Sequence, residues 1–222
     1  MTEMTDKRTR ARQLAAEYND RGDPTGWFEQ LYHEAEQGTA KVPWADLQPN
    51  PNLIEFWERR TLPVQGAALK IGCGLGDDAE QLSRWGFETV AFDIAPTAIR
   101  ECQKRFPDSG VKYAVADLLS PPEDWRGRFD FVLESYTLQV LPQEFRPKAI
   151  LNAAGFVKAQ GGLLLIARAR DATDPPGQMP WPLTRDELDG FVQAGLEQQS
   201  FEDYWDGEQP PARRFRVHYR KS

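Results

Sequence analysis

A run of glycines followed by acids carries the sharpest chemical signal in the sequence. Gly72, Gly74 and Gly76 occupy alternate positions in LKIGCGLGDD at 69–78, between an apolar run and a helix-like stretch. Glycine adopts unusual backbone dihedrals and has no side chain, so such a turn lets the backbone approach a ligand closely. A nicotinamide-dinucleotide fingerprint needs its third glycine at the sixth position, where this sequence has Asp77. The spacing therefore departs from that of the dinucleotide enzymes.

Two more acids stand at the ends of the next two predicted strands. Asp93, followed by Ile94, lies about 20 residues after the turn, where a carboxylate can accept both ribose hydroxyl hydrogens. Asp117, followed by Leu118, is expected at the same edge of the sheet. Together with Asp77 and Asp78 they make four acids in this region. Four acids would repel a pyrophosphate, whereas they suit a neutral ribose, an adenine amine and a cationic amino-acid tail. The alternative is that Asp93 and Asp117 cap helices.

Short apolar runs alternate with helix-like stretches from residue 67 onward. The predicted strands are Ala67 to Cys73, Thr89 to Ile94, Val111 to Ala116, Phe129 to Glu134 and Gly162 to Ala169. The predicted helices are Asp78 to Trp85, Pro96 to Phe106 and Pro147 to Ala159. Helices of this length connect parallel strands, while the runs Gln198 to Tyr204 and Arg213 to Tyr219 are close enough to pair as a hairpin. The predicted fold is α/β: a doubly wound, mostly parallel seven-stranded sheet with a C-terminal antiparallel β-hairpin.

The first 60 residues are richer in aromatic and helical patterns than a linker would be. The charged stretch from Lys7 to Tyr18 predicts a surface helix that packs only weakly. Asp23 and Pro24 predict the start of a second helix, and an apolar third helix follows Pro51. We predict a single domain at 1–222, with an N-terminal helical lid at 1–60 and the sheet at 61–222.

Composition and charge exclude several classes of protein. The 222 residues are 40% hydrophobic, 27% charged and 11% aromatic, which supports a sizeable core. The formal net charge is −7 and the basic residues form no long run, so we expect no nucleic-acid partner. No stretch is apolar enough to span a bilayer or to act as a signal peptide, so we expect a cytoplasmic protein with no membrane partner. Cys73, Cys102, His33 and His218 are too scattered for a metal site.

The glycine turn, the acids and the terminal hairpin together resemble the Rossmann-like class I S-adenosylmethionine-dependent methyltransferases, from about Ala67 to the C-terminus. The resemblance implies S-adenosylmethionine as cofactor and S-adenosylhomocysteine as product. It also implies that the turn wraps the methionine part, that Asp93 holds the ribose, and that Asp117 with Leu118 faces the adenine. The implied cofactor-binding residues are Trp27, Trp44, Gly72, Cys73, Gly74, Asp77, Asp93, Ile94, Asp117, Leu118 and Glu134.

The same resemblance places the reacting groups at the ends of the fourth and fifth strands. Glu134 and Tyr136 would line the methyl group and the acceptor, and we predict catalytic roles for Tyr136, Glu134 and Arg168. Arg168 either attracts an anionic acceptor or pairs with Glu134. Methyl transfer is an in-line displacement, so the protein mainly aligns donor and acceptor. A thiolate or halide acceptor needs no base, whereas a carboxylate or tyrosine would help a phenol.

A narrower resemblance covers the front of the chain. Trp27-Phe28-Glu29-Gln30-Leu31-Tyr32, followed by Val42-Pro43-Trp44-Ala45-Asp46, is similar to the thiopurine, thiol/halide and tellurite methyltransferase group, where such a segment lids the cofactor. This implies a small-molecule acceptor that is a thiol, halide, chalcogen or phenol-like compound, and a monomer or weak homodimer. The alternative is that these aromatic side chains simply form a core.

Lys70 departs from the family pattern, because many members carry an acid two residues before the first glycine. A lysine there presents like charge to the cofactor's ammonium and sulfonium, or needs a carboxylate such as Asp77, Asp93 or Glu134 as partner. The sequence therefore predicts that Lys70→Asp tightens S-adenosylmethionine binding. It also leaves open a non-catalytic scaffold protein with an altered cofactor turn, and a nicotinamide-dependent oxidoreductase, which Asp77 disfavours.

Overall fold

The computed structural model describes residues 2–59 and 65–222, with side chains from residue 8 onward. The strands are β1 Ala67–Ile71, β2 Glu88–Asp93, β3 Lys112–Val115, β4 Phe129–Ser135, β5 Val157–Arg168, β6 Leu196–Trp205 and β7 Arg213–Lys221. The helices are α1 Thr2–Asn19, α2 Gly26–Glu36, α3 Pro51–Glu58, α4 Asp77–Trp85, α5 Pro96–Arg105, α6 Arg146–Phe156 and α7 Arg185–Gln193. Short 3-10 turns cover Glu123–Trp125, Leu138–Val140 and Gln143–Phe145.

The seven strands form one sheet in the order β3-β2-β1-β4-β5-β7-β6. The first five strands pair in parallel, and β7 runs antiparallel to both of its neighbours, β5 and β6. This confirms the predicted fold class, including the C-terminal hairpin. The predicted boundary between residues 60 and 61 lies outside the described residues.

Apolar side chains cover both faces of the central strands. Leu69 and Val132 belong to the core beneath α6 and α7, whereas Ala68 and Leu133 pack on the opposite face, against α3 and α4. Adjacent residues of a strand point to opposite faces, so a sheet covered on both sides needs continuous apolar runs. This explains why the central strands are the clearest runs in the sequence.

The site is positioned by a reversal in strand order. β1 pairs with β2 on one side and with β4 on the other, because the chain winds outward to β3 before returning to the middle of the sheet. Connections leave the sheet in opposite directions at such a point, and a crevice opens outside the carboxyl ends of the strands. Ile71 lies beside Glu134 in this register, so the glycine turn and the end of β4 share the crevice.

Two local predictions are wrong. The first helix does not pack weakly, because Ala11, Leu14 and Ala15 are buried in a cluster with Trp27 and Leu31 of α2. Positions 11, 14 and 15 form a short apolar stripe on one face of an otherwise charged helix, which is sufficient for docking. The third crossover helix ends at Phe156, not near residue 159, because the next residue already pairs with β4. None of the helices within the described residues is long and apolar enough to cross a membrane.

Candidate active site

The glycine turn requires glycine at each of its three positions. Gly72, Gly74 and Gly76 have φ values of 56°, 56° and 93°, in the left-handed region that other residues rarely adopt. Space is limited as well, because a Cβ on Gly72 would lie 2.4 Å from Oγ1 of Thr137. A Cβ on Gly76 would lie 2.6 Å from the hydroxyl of Tyr113. The turn is therefore packed from beneath and has its backbone toward the crevice.

Asp93, the last residue of β2, holds this turn against the sheet. Its Oδ2 accepts a hydrogen bond from the Gly74 amide at 2.9 Å, and its Oδ1 accepts one from the Ala95 amide at 3.0 Å. Cys73 is buried and donates its own amide to the Phe92 carbonyl at 2.8 Å. Burial raises the pKa of Asp93. Each carboxylate oxygen can accept a second hydrogen bond, so Asp93 can serve a ligand while it holds the turn.

Lys70 is only 2% exposed and bonds to the turn itself. Its Nζ donates to the carbonyl oxygens of Ile71 at 2.7 Å and Gly72 at 3.1 Å. Burial raises the pKa of both Asp93 and Glu134, and the positive charge of Lys70 opposes that rise in each case. Lys70 thus satisfies carbonyls where β1 ends and supplies the positive charge in a buried group that contains two carboxylates.

Glu134 near the end of β4 carries an unused hydrogen-bond acceptor. The residue is fully buried, and its Oε1 accepts from the amides of Thr137 at 2.8 Å and Leu138 at 2.9 Å. Its Oε2 is also buried and meets no hydrogen-bond donor among the described residues. A buried carboxylate oxygen without a donor is costly, so this atom is suited to a cationic ligand group.

Two of the acids near the turn bond to protein groups. Both carboxylate oxygens of Asp77 accept from Arg105 of α5 at 2.8 Å, so this side chain joins α4 to α5. A contact between Asp77 and the cofactor stays a prediction. Asp78 accepts from the Asn50 amide at 2.8 Å and from the Ser135 hydroxyl at 3.0 Å. It therefore connects the start of α3 to the end of β4.

The two residues predicted to face an adenine, Asp117 and Leu118, lie beyond the end of β3, and the predicted cofactor contact Ile94 follows β2. Asp117 accepts a hydrogen bond from the Leu119 amide on its Oδ1 at 2.8 Å. Leu118 is buried in the main core, and Ile94 is half-buried. The other carboxylate oxygen of Asp117, Oδ2, has no hydrogen bond to the described residues.

An aromatic pair from the front of the chain covers the turn. The indole nitrogen of Trp44 donates to the hydroxyl of Tyr32 at 2.8 Å. A Cβ on Gly74 would lie 3.4 Å from that hydroxyl, so the pair is in contact distance of the turn. Burial raises the pKa of Tyr32 well above its usual range, with a further rise from the nearby Asp93. Trp27 is 1% exposed and donates to the Pro24 carbonyl at 3.1 Å, which makes it a core residue of the lid.

Glu29 of α2 connects this lid to α5. Its Oε2 accepts from the Thr97 amide at 2.9 Å and its Oε1 accepts from the Thr97 hydroxyl at 2.6 Å. Thr97 lies in the first turn of α5, where backbone amides have no partner within the helix. Glu29 therefore acts as a cap supplied by another helix.

We expect Glu29→Ala to loosen the lid and weaken binding of S-adenosylmethionine about tenfold, because an unsatisfied buried amide costs about 1–3 kcal/mol. Calorimetric titration would measure the change. Glu36→Ala is the matched control, since Glu36 lies on the same helix and reaches α5 through exposed pairs with Arg100 and Lys104. Exposed pairs contribute little, so its affinity should stay within about twofold of the native value. Equal losses in the two variants would contradict the role of Glu29.

Tyr136 follows β4 in a left-handed backbone conformation that is uncommon for a residue other than glycine. Its φ is 67°, and its amide donates to the Ile166 carbonyl at 3.0 Å, which holds the strained backbone in place. The side-chain amide of Asn52 donates to its hydroxyl at 3.0 Å. The guanidinium of Arg214 lies 4.8 Å from the centre of its ring. Burial raises the pKa of Tyr136, so its hydroxyl stays protonated and can donate.

Arg168 ends β5 opposite Arg214 and does not pair with Glu134. Its guanidinium lies 3.6 Å from Oε2 of Glu208, in the loop between β6 and β7. Its amide donates to the side chain of Gln139 at 2.7 Å, and the Gln139 carbonyl accepts from the Trp181 amide at 2.7 Å. Trp181 is half-buried against the cluster formed by α1 and α2.

Four residues that shape this region had no predicted role. Asn52 and Arg214 lie outside the predicted motifs, whereas Glu29 and Asp78 lie within them, and the partners of all four depend on helix docking and strand register. The alternation of arginine and apolar residues at the start of β7 is also common on a strand with one solvated face. Because arginine is rarely buried, this pattern does not predict the burial of Arg214.

Comparison with known proteins identifies the family. A sequence model described as a methyltransferase domain matches residues 68–161. A 2-heptyl-1-hydroxyquinolin-4(1H)-one methyltransferase of Mycobacteroides abscessus is 32% identical over 174 residues, which cover 74% of each chain. The chain is a class I S-adenosylmethionine-dependent methyltransferase. A ubiquinone biosynthesis O-methyltransferase of Xanthomonas axonopodis is 29% identical over 120 residues. The match covers 53% of this chain and 49% of that relative, so this chain spans about half the length of the relative.

Solved structures agree with the methyltransferase fold. TehB from Haemophilus influenzae superposes with a TM-score of 0.64 at 15% identity, covering 81% of this methyltransferase and 65% of TehB. A TehB-like S-adenosylmethionine-dependent methyltransferase from Corynebacterium glutamicum gives 0.61 at 19% identity, covering 88% and 96%. S-adenosylmethionine is the cofactor of this family, and the residues present fit it: the glycine turn leaves backbone open to a ligand, a buried acid ends β2, and Oε2 of Glu134 has no hydrogen-bond donor among the described residues.

Proposed function

We propose that this methyltransferase moves the methyl group to an oxygen of a small, flat, hydroxylated aromatic molecule, the phenol-like class among the possible acceptors. The observation that carries the proposal is the guanidinium pair at the carboxyl end of β5, where Arg214 lies against the Tyr136 ring and Arg168 is beside Glu208. The aromatic pair Tyr32 and Trp44, in contact distance of the glycine turn, supports a flat apolar ligand. Relatives named for a hydroxyquinolinone and for ubiquinone O-methylation support the same acceptor class.

Cofactor binding is assigned to residues around the turn. We propose that Asp93 accepts from the ribose hydroxyls and that Oε2 of Glu134 accepts from the methionine ammonium, because that atom needs a cationic donor. The negative charge of Glu134 also favours the positively charged sulfonium, and aromatic rings attract such a cation as well. The remaining proposed contacts are the backbone of Gly72, Cys73 and Gly74 for the methionine part, Ile94, Asp117 and Leu118 for the adenine, and Trp44 for the cover.

The protein's chemical task is mainly alignment. S-adenosylmethionine, when bound, supplies a methyl group on a sulfonium sulfur, which is a good leaving group. The lid excludes water from the crevice, and the strained backbone of Tyr136 fixes its ring beside the acceptor. The protonated Tyr136 hydroxyl donates a hydrogen bond and is not a base, since its pKa is raised by burial. Arg168 favours the deprotonated acceptor oxygen, so a separate strong base is unnecessary.

Titration followed by a turnover assay tests the proposal. We expect the native protein to bind S-adenosylmethionine and S-adenosylhomocysteine with about micromolar affinity, about −8 kcal/mol, and to show no binding of NADH. It should then methylate 2-heptyl-1-hydroxyquinolin-4(1H)-one faster than a simple thiol or iodide. Turnover of only the thiol or iodide would refute the oxygen acceptor. Cofactor binding without turnover of any acceptor would instead favour a scaffold protein.

A further inference from the structure

Two arginines from neighbouring strands lie side by side at the carboxyl end of β5. Arg168 of β5 and Arg214 of β7 are directly opposite each other in the antiparallel pairing, so their side chains share one face of the sheet. Arg214 is 2% exposed and lies over the Tyr136 ring, whereas Arg168 is partly open. Both guanidiniums therefore lie on one face of the sheet, and that of Arg214 lies against the Tyr136 ring.

The loop between β6 and β7 presents two carboxylates to these arginines in very different ways. Asp206 is buried: its Oδ2 accepts from Nε of Arg214 at 2.6 Å, and its Oδ1 accepts from the Ala212 amide at 2.9 Å. Glu208 has a side chain that is 49% exposed, and it shares its oxygens between Arg214 at 2.5 Å and Arg168 at 3.6 Å. Asp206 thus belongs to the folded loop, and Glu208 reaches in from solvent.

We propose that Glu208 occupies the place of an anionic oxygen group of the acceptor, which displaces it and binds between Arg168 and Arg214. The inference rests on the proposed function and adds that the acceptor reacts as an anion or carries an anionic group next to the reacting oxygen. Guanidinium groups match a carboxylate or a similar oxyanion in geometry as well as charge.

The exchange leaves no buried charge unpaired. Arg214 keeps its contact with the buried Asp206 when Glu208 leaves, and the half-exposed Glu208 returns to water at little cost. Arg168 has the weaker of the two contacts with Glu208, at a distance longer than a hydrogen bond. Burial lowers the pKa of Arg168, and the positive charges of Arg214 and Arg8 lower it further, while Glu208 opposes the shift. When Glu208 leaves, Asp206 alone faces the two guanidiniums, so one positive charge is left for an anionic group.

A matched pair of probes isolates the effect of the negative charge. We would titrate the protein loaded with S-adenosylhomocysteine with 1-naphthoate and with 1-naphthamide, which differ in charge and hardly in shape. The native protein should bind the carboxylate about tenfold more tightly than the amide, since charge-assisted hydrogen bonds are the stronger class. Arg168→Gln should reduce the affinity for the carboxylate to about that for the amide.

Glu208→Gln gives the decisive result, because a purely structural role predicts the opposite sign. Removal of the competing charge should strengthen 1-naphthoate binding about threefold to tenfold and leave 1-naphthamide binding unchanged. Glu88→Gln is the control: it removes one negative charge from an exposed residue at the amino end of β2, opposite the carboxyl ends of the parallel strands, and should change neither affinity.

The outcomes separate this inference from the function on which it rests. If S-adenosylhomocysteine binds but the native protein does not prefer the carboxylate, or if Glu208→Gln weakens 1-naphthoate binding, the exchange at Glu208 is wrong and methyl transfer stands. If S-adenosylhomocysteine does not bind to the native protein, the proposed function falls and this inference falls with it.

Discussion

Lys70→Asp is expected to lower the free energy of unfolding by about 3–5 kcal/mol, because it removes the positive member of a buried charged group. The sequence alone predicted tighter cofactor binding by this variant. In the structure, however, an aspartate at position 70 would add a third acid near Asp93 and Glu134 and would leave the Ile71 and Gly72 carbonyls without their donor. Urea denaturation followed by tryptophan fluorescence would measure the loss.

Two further variants make this measurement specific to the buried charge. Lys112→Asp makes the same change at an exposed lysine in a strand, β3, and should change stability by less than about 0.5 kcal/mol. Lys70→Met keeps much of the side-chain volume and should fall between the two. A Lys70→Asp protein that is as stable as the native one and binds S-adenosylmethionine more tightly would restore the expectation from the sequence.

Asp93→Ala should weaken S-adenosylmethionine binding by at least about 100-fold, because it removes a charged acceptor for two ribose hydroxyls at about 1.5–3 kcal/mol each. It also removes the carboxylate that accepts from the Gly74 amide, so the turn loses its attachment to β2. Calorimetric titration with S-adenosylmethionine and S-adenosylhomocysteine would show parallel losses, since both ligands contain the ribose. Asp93→Asn keeps one acceptor oxygen and should lose about tenfold.

Asp108→Asn is the control for this series. Asp108 is exposed in the turn after α5 and has no part in the proposed cofactor contacts. The variant removes one carboxylate charge and should stay within about threefold of the native affinity. If Asp93→Ala also stays within that range, the assignment of the ribose to Asp93 is wrong.

The sheet was predictable because its signal is local. Each central strand is buried on both faces and is bounded by a turn, so its apolar run can be read without knowledge of its neighbours. The glycine turn was predictable for the same reason: one short segment contains both the strand end and the residues that reach the crevice. The antiparallel pairing of β6 with β7 followed from the short connection between them.

Side-chain partners could not be predicted in this way. Asp77 was predicted to contact the cofactor, which stays a prediction, and the residue pattern did not show that Arg105 of the next crossover helix donates to both of its oxygens. Lys70 was expected to need a carboxylate, but the carbonyl groups at the end of its own strand accept from it. In both cases the deciding contact depends on how helices and strands pack, to within about an ångström, and residue types and spacing do not contain that information.

The position of β7 has a consequence for the order in which the site is built during protein synthesis. This strand follows β1–β6 in the chain, yet it lies in the sheet between β5 and β6. The glycine turn, Asp93 and Glu134 belong to β1–β4 and leave the ribosome well before Arg214 does. The half of the crevice that suits the cofactor can therefore form on the nascent chain, whereas the half that receives the acceptor assembles only when β7 inserts.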